Sequence, residues 1–172
     1  ERLKEIQDQV ESCGVIFSEN ARAVWKFELG EEPEVIESPG WKGKLKVFKP
    51  DNFFAPMASG SAGYDAMIVC PCTMGTIGRI AAGVSSDLLT RSADVMLKER
   101  KKLILVPREA PFSLIHLNNM QLLTQAGAII CPASPSFYSK PDSIEKLVLT
   151  VVDRVLVLAG LDVKTYNWGG SL

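Results

Sequence analysis

The chain has one histidine, four cysteines and almost no net charge, and each of these shortages excludes a class of function. Cys70 and Cys72 have the wrong spacing for a zinc knuckle, and no second pair of cysteines or histidines follows them. A formal net charge of −1 provides no overall field that would attract nucleic acid or an anionic membrane. We therefore expect no metal, nucleic acid or membrane among the binding partners.

Long hydrophobic runs are missing as well. No apolar run approaches the roughly 20 residues that are needed to cross a bilayer, and the charged start of the chain is not typical of a signal peptide. There is no nucleophile-elbow motif to support a Ser-His-Asp triad, and the only histidine, His116, is expected to be a helix residue rather than a catalytic base. Hydrophobic residues make up 47% and charged residues 23% of the chain, which predicts one soluble globular domain.

The few cysteines also indicate the redox environment. Three of the four lie at the ends of apolar, strand-like runs, which predicts buried free thiols. Free thiols are typical of a reducing compartment. We therefore expect a cytoplasmic protein.

Short apolar runs alternate with amphipathic stretches along the chain. Each run is followed by a helical pattern, which is typical of a parallel sheet that is covered on both faces. With right-handed crossovers, this order predicts a Rossmann-like three-layer α/β/α sandwich. The predicted strands are 15–17, 66–69, 103–106 and 128–131. The predicted helices include 19–29, 73–82 and 86–98. A further helix is predicted to end at Gly127, and a last long helix carries apolar residues from Ile144 to Leu158.

Two further segments have distinct patterns. Residues 1–12 carry apolar side chains at helical spacing with no N-cap residue before them. This pattern predicts that residues 1–172 form a single domain that begins inside a helix, as if a preceding strand and loop were missing. Residues 31–56 are rich in Pro, Gly, Glu and Lys, and are expected to be the least regular part.

Polar side chains follow each predicted strand, where ligands bind in open parallel sheets. Ser18 follows the first strand, and the segments 70–76, 107–111 and 132–138 follow the others. Thr73 and Thr76 start a helix, whose free N–H groups and positive dipole end favour an anion or a polar ring edge. The alternative is that Thr73 is only an N-cap.

Charged residues add phosphate-binding and acid–base candidates. Arg91 and Lys98 are seven residues apart on one helix face and could clamp a phosphate, although solvated surface charge is the alternative. Arg108 and Glu109 are adjacent between a buried strand and a proline turn, which favours a functional role over a structural ion pair.

The same segments match a known family. The run Leu-Thr-Arg-Ser-Ala-Asp-Val-Met-Leu-Lys-Glu-Arg at 89–100, followed by Leu-Val-Pro-Arg-Glu-Ala-Pro at 105–111, resembles the flavin prenyltransferases (UbiX). This family was formerly described as aromatic-acid or polyprenyl-hydroxybenzoate decarboxylases. The resemblance covers about residues 1–160 and includes further motifs at 15–18, 70–76, 115–120, 127–128, 135–141 and 152–156.

The resemblance implies specific roles for the candidate residues. Glu109 and Lys98 would be catalytic, with Glu109 as the acid–base group near the phosphate. FMN would be held by Ser18, Thr73, Met74, Gly75, Thr76 and Arg108. The phosphate of dimethylallyl monophosphate would be bound by Arg91, Lys98, Tyr138 and Arg154, some of them across a subunit boundary. Without the resemblance, Tyr138 and Arg154 could equally be ordinary surface residues.

The resemblance also implies the reaction and the partners. Reduced FMN would attack the allyl carbon through N5, and ring closure onto C6 would give prenylated FMN. A UbiD-type decarboxylase of ubiquinone synthesis or aromatic-acid breakdown would use this product. The expected assembly is a homo-oligomer, a dodecamer. The chain departs from the family at Gly75, where a lysine is common. It is also expected to lack the family's first strand with its Gly/Ser-rich loop.

Two alternatives stay open. A flavin-dependent cysteine decarboxylase has the same fold but needs an early catalytic histidine and a Pro-x-Met-Asn motif, which the chain lacks. A non-catalytic flavin-binding subunit would keep Ser18 and Thr73. It would not require Lys98, Glu109 and Tyr138 together with Arg154.

Overall fold

The computed structural model describes residues 2–30, 41 and 43–165. The strands in this part of the chain are β1 (Cys13–Ile16), β2 (Leu45–Phe48), β3 (Ala66–Cys72), β4 (Lys102–Pro107) and β5 (Ile129–Ile130). The α-helices are α1 (Arg2–Ile6), α2 (Glu19–Leu29), α3 (Met74–Ala81), α4 (Leu88–Lys98), α5 (Leu114–Gln125) and α6 (Ile144–Ala159). None of the helices in the described ranges combines the length and the apolar character that crossing a membrane requires.

All the observed strand pairs are parallel, which confirms the predicted α/β class. β1 pairs with β2, and β3, β4 and β5 form a second sheet in that order. No strand among residues 2–30, 41 and 43–165 joins the two sheets. The predicted absence of a first strand stays a prediction.

The core lies on both faces of β4, whose residues from Leu103 to Val106 are fully buried. Successive side chains of a strand point to opposite faces. Leu103 and Leu105 pack in a cluster with residues of α3, α4 and α5, whereas Ile104 and Val106 pack against α6. The described part of the chain therefore has the predicted three layers, with β4 in the middle.

Side-chain caps fix where the helices begin. The hydroxyls of Ser18, Thr73, Ser113 and Ser143 each accept a hydrogen bond from a backbone N–H three residues later. Ser18 is thus the N-cap of α2. His116 belongs to such a cap, because its Nδ1 accepts a hydrogen bond from the Ser113 N–H at 3.3 Å.

Some elements differ from their predictions. β2 lies in the segment that was expected to be least regular, and it is held by parallel pairing with β1. The first helix ends at Ile6 and continues as a short 3-10 turn, Gln7–Gln9, instead of extending to residue 12. α2 has the predicted bounds, but all its residues are exposed, so it does not cover a sheet face. Within the predicted irregular segment 31–56, residues 31–40 and 42 lie outside the described residues.

Candidate active site

The ends of β3, β4 and β5 form one edge. Cys72 of β3 pairs in register with Pro107 of β4, so Thr73 and Arg108 leave neighbouring strands at the same level. The Ala133 N–H donates to the Pro107 carbonyl at 3.0 Å, which brings the segment after β5 alongside. Three of the four predicted polar segments therefore meet at what is called here the carboxyl edge.

A cleft of about 340 Å³ opens at this edge, a volume within the range of small-molecule sites. Its walls offer one cation, one carboxylate, a hydroxyl and an aromatic ring. The lining residues are Pro107, Arg108, Glu109, Ala110, Phe112, Pro132, Ala133 and Ser134.

Arg108 is held from outside the sheet by a residue that the sequence did not indicate. Its Nη2 donates to Glu28 Oε1 at 3.0 Å, and this hydrogen bond raises the pKa of Arg108. Glu28 lies near the end of α2, which begins after Ser18, so α2 connects the end of β1 to the carboxyl edge. No local signal marks Glu28, because acidic residues are common on exposed helices.

The second charged residue of the cleft is Glu109. Its carboxylate accepts a hydrogen bond from the Ala110 N–H at 3.2 Å, and the side chain is exposed to solvent. A carboxyl group in this position can reach a ligand in the cleft. The cleft thus has a candidate acid–base group beside a guanidinium.

The start of α3 presents backbone donors and two hydroxyls. Thr73 caps the helix by accepting from the Thr76 N–H at 3.2 Å, and the two Oγ1 atoms are 3.0 Å apart. A Cβ at Gly75 would approach only Thr73 Oγ1, at 3.9 Å, so a ligand can come close to the backbone here. Met74 is buried in the core, and only its backbone faces this edge.

Ser18 has a capping role that is compatible with a ligand contact. Its Oγ accepts from the Ala21 N–H at 3.1 Å, which leaves the hydroxyl proton available as a donor. The neighbouring Phe17 ring packs edge-on against Trp25. The Arg22 guanidinium carbon lies 5.0 Å from the centroid of the Phe17 ring.

Arg91 and Lys98 form a separate group on α4. The Arg91 Nε donates to the Ala58 carbonyl at 3.1 Å, and Lys98 forms an ion pair with Glu99. A Cβ at Gly60 would collide with the Glu99 side chain, so the loop that contains Gly60 lies against this group. We call Arg91 and Lys98 the α4 cations.

One chain does not bring Lys98 to Glu109. Lys98 ends α4 just before β4 begins at Lys102, whereas Glu109 follows the other end of β4. A six-residue parallel strand spans roughly 20 Å. A joint catalytic role of Lys98 and Glu109 would therefore need two chains, and their expected role across a subunit boundary stays a prediction.

Tyr138 and Arg154 lie toward the β5 side. The Tyr138 N–H donates to Ser136 Oγ at 3.4 Å, in a loop that Thr150 of α6 anchors. Arg154 is exposed on α6, and its charge opposes the rise in the pKa of Cys131 that burial causes. Arg154 is therefore close to the end of β5.

No group of three potential metal ligands from His, Cys, Asp or Glu occurs within residues 2–30, 41 and 43–165. Burial raises the pKa of the Cys72 thiol to about 12, although the nearby Arg79 partly opposes this rise. All four cysteines are free thiols.

Comparison with known proteins identifies the family. A sequence profile described as Flavoprotein matches residues 1–156. The flavin prenyltransferase UbiX of Methanocaldococcus jannaschii is 41% identical over 169 residues, which cover 98% of this chain and 90% of that protein. The chain belongs to the flavin prenyltransferase family. The family's UbiX of Thermoplasma acidophilum is 46% identical over 86% of this chain and 79% of its own length.

Solved structures of flavin prenyltransferases have the same fold. AnUbiX (PadA1), in complex with FMN and dimethylallyl pyrophosphate, has a TM-score of 0.81 at 40% identity, over 96% of this chain and 86% of that one. A dodecameric FMN-dependent UbiX-like decarboxylase from Escherichia coli O157:H7 has a TM-score of 0.82 at 34% identity. The match covers 98% of this chain and 90% of that one. The epidermin biosynthesis protein EpiD of Staphylococcus aureus, at 24% identity and a TM-score of 0.51, shares only the fold.

Proposed function

We propose that the chain is a flavin prenyltransferase that joins dimethylallyl monophosphate to reduced FMN. The product would be prenylated FMN, the cofactor of a UbiD-type decarboxylase. The observation that carries the proposal is the carboxyl edge, where Thr73 leaves β3 beside Arg108 and Glu109. Membership of the prenyltransferase family supports it.

The residues at this edge fit FMN. The free N–H groups at the start of α3 and the hydroxyl of Thr73 are donors for the polar rim of the flavin ring. The Ser18 hydroxyl, at the end of β1, is a further donor that we assign to FMN. Gly75 leaves room for the ring to approach the backbone. Arg108 supplies a positive charge at the same level. We assign FMN binding to these residues, with Met74 contributing through its backbone and Thr76 through its hydroxyl.

The chemistry requires a carbon–oxygen bond to break at an allylic carbon while phosphate departs. Bound reduced FMN supplies the nucleophilic N5 and the C6 position at which the new ring closes. Glu109 donates a proton to the departing phosphate as a general acid. Positive side chains stabilise the charge that develops on the phosphate oxygens, so no metal is needed for this step.

The α4 cations act, in this proposal, at the carboxyl edge of a neighbouring subunit. Lys98 and Glu109 lie at opposite ends of β4, so a joint role requires two chains. A dodecameric relative supports a homo-oligomer, which we propose to be a dodecamer. Exposed apolar side chains such as Phe54, Leu114 and Ile115 provide surface for such contacts. Tyr138 and Arg154 would complete the phosphate site.

We also propose a cytoplasmic location. Four free thiols, with Cys72 buried and Cys70 exposed, are compatible with a reducing compartment. Loss of activity after mild oxidation of the exposed thiol would support this assignment.

The proposal is tested by the mass of the flavin. Purified protein is incubated without oxygen with reduced FMN and dimethylallyl monophosphate, and the released flavin is measured by mass spectrometry. We expect a gain of one five-carbon prenyl unit and equimolar phosphate. Isopentenyl monophosphate, which has no allylic carbon–oxygen bond, is the matched control and should give no gain. An unchanged flavin mass despite FMN binding would rule out prenyl transfer.

A further inference from the structure

Arg79 is a cation with no assigned role in the site described above. It lies in the second turn of α3, and its Nη2 donates to Thr76 Oγ1 at 3.2 Å. Long helical side chains point back toward the helix N-terminus, so the guanidinium reaches over the first turn. Arg79 forms no ion pair with a carboxylate of the described residues, whose ion pairs all involve other cations.

Arg79 itself lies in the last turn of α3, where the negative end of the helix dipole favours a cation. Its guanidinium nevertheless reaches back to Thr76 in the first turn, and the side chain is exposed to solvent. An exposed guanidinium without a carboxylate partner can donate hydrogen bonds to an anionic ligand that binds at the start of α3.

The hydrogen bonds limit which way the two hydroxyls can point. Arginine has only donors, so Thr76 Oγ1 accepts from Arg79. The Oγ1 atoms of Thr73 and Thr76 are 3.0 Å apart, and either can be the donor between them. An oxygen that accepts from a cation becomes a stronger donor, which favours donation from Thr76 to Thr73. In that orientation the Thr73 hydroxyl proton is available to a ligand at the start of α3.

We infer that Arg79 is a positioning residue which, through Thr76 and Thr73, holds a hydrogen-bond donor toward the negatively charged edge of bound reduced flavin. This inference rests on the proposed function and deepens it. A reduced flavin carries negative charge at N1 and its adjoining carbonyl when it loses the N1 proton, and a nearby positive charge favours this form. Arg79 therefore biases the site toward the redox state that the transfer requires.

The test compares the two redox states of the flavin. In Arg79→Gln, we expect about tenfold weaker binding of reduced FMN and less than twofold weaker binding of oxidised FMN. The resulting five- to tenfold change in the ratio of the two dissociation constants corresponds to a midpoint potential about 20–30 mV lower for the two-electron couple. Lys164→Gln makes the same change in charge at an exposed residue beyond the end of α6 and should leave both affinities unchanged. Arg79→Lys keeps the charge and should recover most of the potential.

A second variant tests the route through Thr76. Valine has nearly the same shape as threonine, but Thr76→Val removes the hydroxyl that accepts from Arg79. This variant should also weaken the binding of reduced FMN more than the binding of oxidised FMN. The double variant should be no worse than about the stronger single variant, because both changes break one chain of hydrogen bonds. Additive effects would overturn the proposed route.

The phosphate of FMN is the other anion that Arg79 could meet. Riboflavin lacks this phosphate, so an effect of Arg79→Gln that is seen with FMN but not with riboflavin would overturn the inference. Equal weakening of oxidised and reduced flavin would overturn it as well. If wild-type protein transfers the prenyl group while these ratios stay unchanged, the inference alone fails. If wild-type protein binds no flavin, the proposed function fails with it.

Discussion

The Arg108 guanidinium donates two hydrogen bonds to the Glu28 carboxylate, at 3.0 and 3.4 Å. This contact ties α2, which otherwise lies exposed, to the carboxyl edge of β4. Glu28 is thus a second carboxylate near the cleft. It holds the guanidinium at the level where Thr73 leaves β3.

The Glu28–Arg108 pair should contribute little to stability. Both side chains are about half exposed, at 46% and 59%, and exposed ion pairs contribute roughly 0.2–1 kcal/mol. A double-mutant cycle of Glu28→Gln and Arg108→Gln, followed by urea unfolding at fixed protein concentration, should give a coupling in this range. The coupling should shrink in high salt. A salt-insensitive coupling above about 2 kcal/mol would show that the pair is structural.

Glu109→Gln should separate binding from chemistry. The amide keeps the size of the side chain but cannot donate the acid proton, so we expect prenyl transfer to slow by about two orders of magnitude. FMN affinity should change less than twofold, as measured by titration. Glu145→Gln, on the exposed first turn of α6, is the matched control. Parallel loss of FMN binding and transfer would assign Glu109 a structural role.

The Arg2–Asp153 pair should stabilise the fold. Asp153 is buried at 6% exposure, and Arg2 Nε donates to its Oδ1 at 2.7 Å. Arg2→Met would leave this carboxylate buried without its partner, and we expect a loss of roughly 3 kcal/mol in the free energy of unfolding. Lys146→Met breaks the exposed pair with Asp142 and should cost about 0.3–0.5 kcal/mol. Equal losses in the two variants would contradict this account.

The buried Cys72 thiol should make stability fall at high pH. Its folded pKa of about 12 lies above the ordinary value of 9.0, so between these values the folded state binds more protons than the unfolded state. The free energy of unfolding should therefore be unaffected below pH 9 and should decline above it, by at most about 1.4 kcal/mol per pH unit from this group. Cys72→Ala should show a shallower decline in urea unfolding between pH 9 and 10.5. Parallel declines would contradict the assignment.

Elements with local signals could be predicted from the sequence. The bounds of α2 follow from its N-cap at Ser18 and from Gly30, which ends the helix with a φ of 77°. β4 was predictable because its consecutive apolar residues are buried on both faces. The family motif between 89 and 111 is likewise a local pattern, and the matches to flavin prenyltransferases confirm it.

Non-local relations could not be predicted in the same way. β2 has two exposed residues among its four, and its pairing with β1 joins segments about thirty residues apart. Glu28 meets Arg108 across eighty residues of sequence. Lys98 and Glu109 are close in the sequence, but β4 intervenes and carries them to opposite ends of the sheet. Their joint role at one site stays a prediction about the assembly.

Mixed oligomers test most directly the claim that two chains complete one active site. Lys98→Ala and Glu109→Gln subunits are co-expressed with different tags, and oligomers that carry both tags are assayed for prenylated FMN. Each variant alone should be nearly inactive, whereas about a quarter of the sites in a random mixture should regain both residues. Arg108→Gln mixed with Glu109→Gln, which alters one edge of one chain, should show no recovery. Mixed Lys98→Ala and Glu109→Gln oligomers that are no more active than either parent would contradict the account.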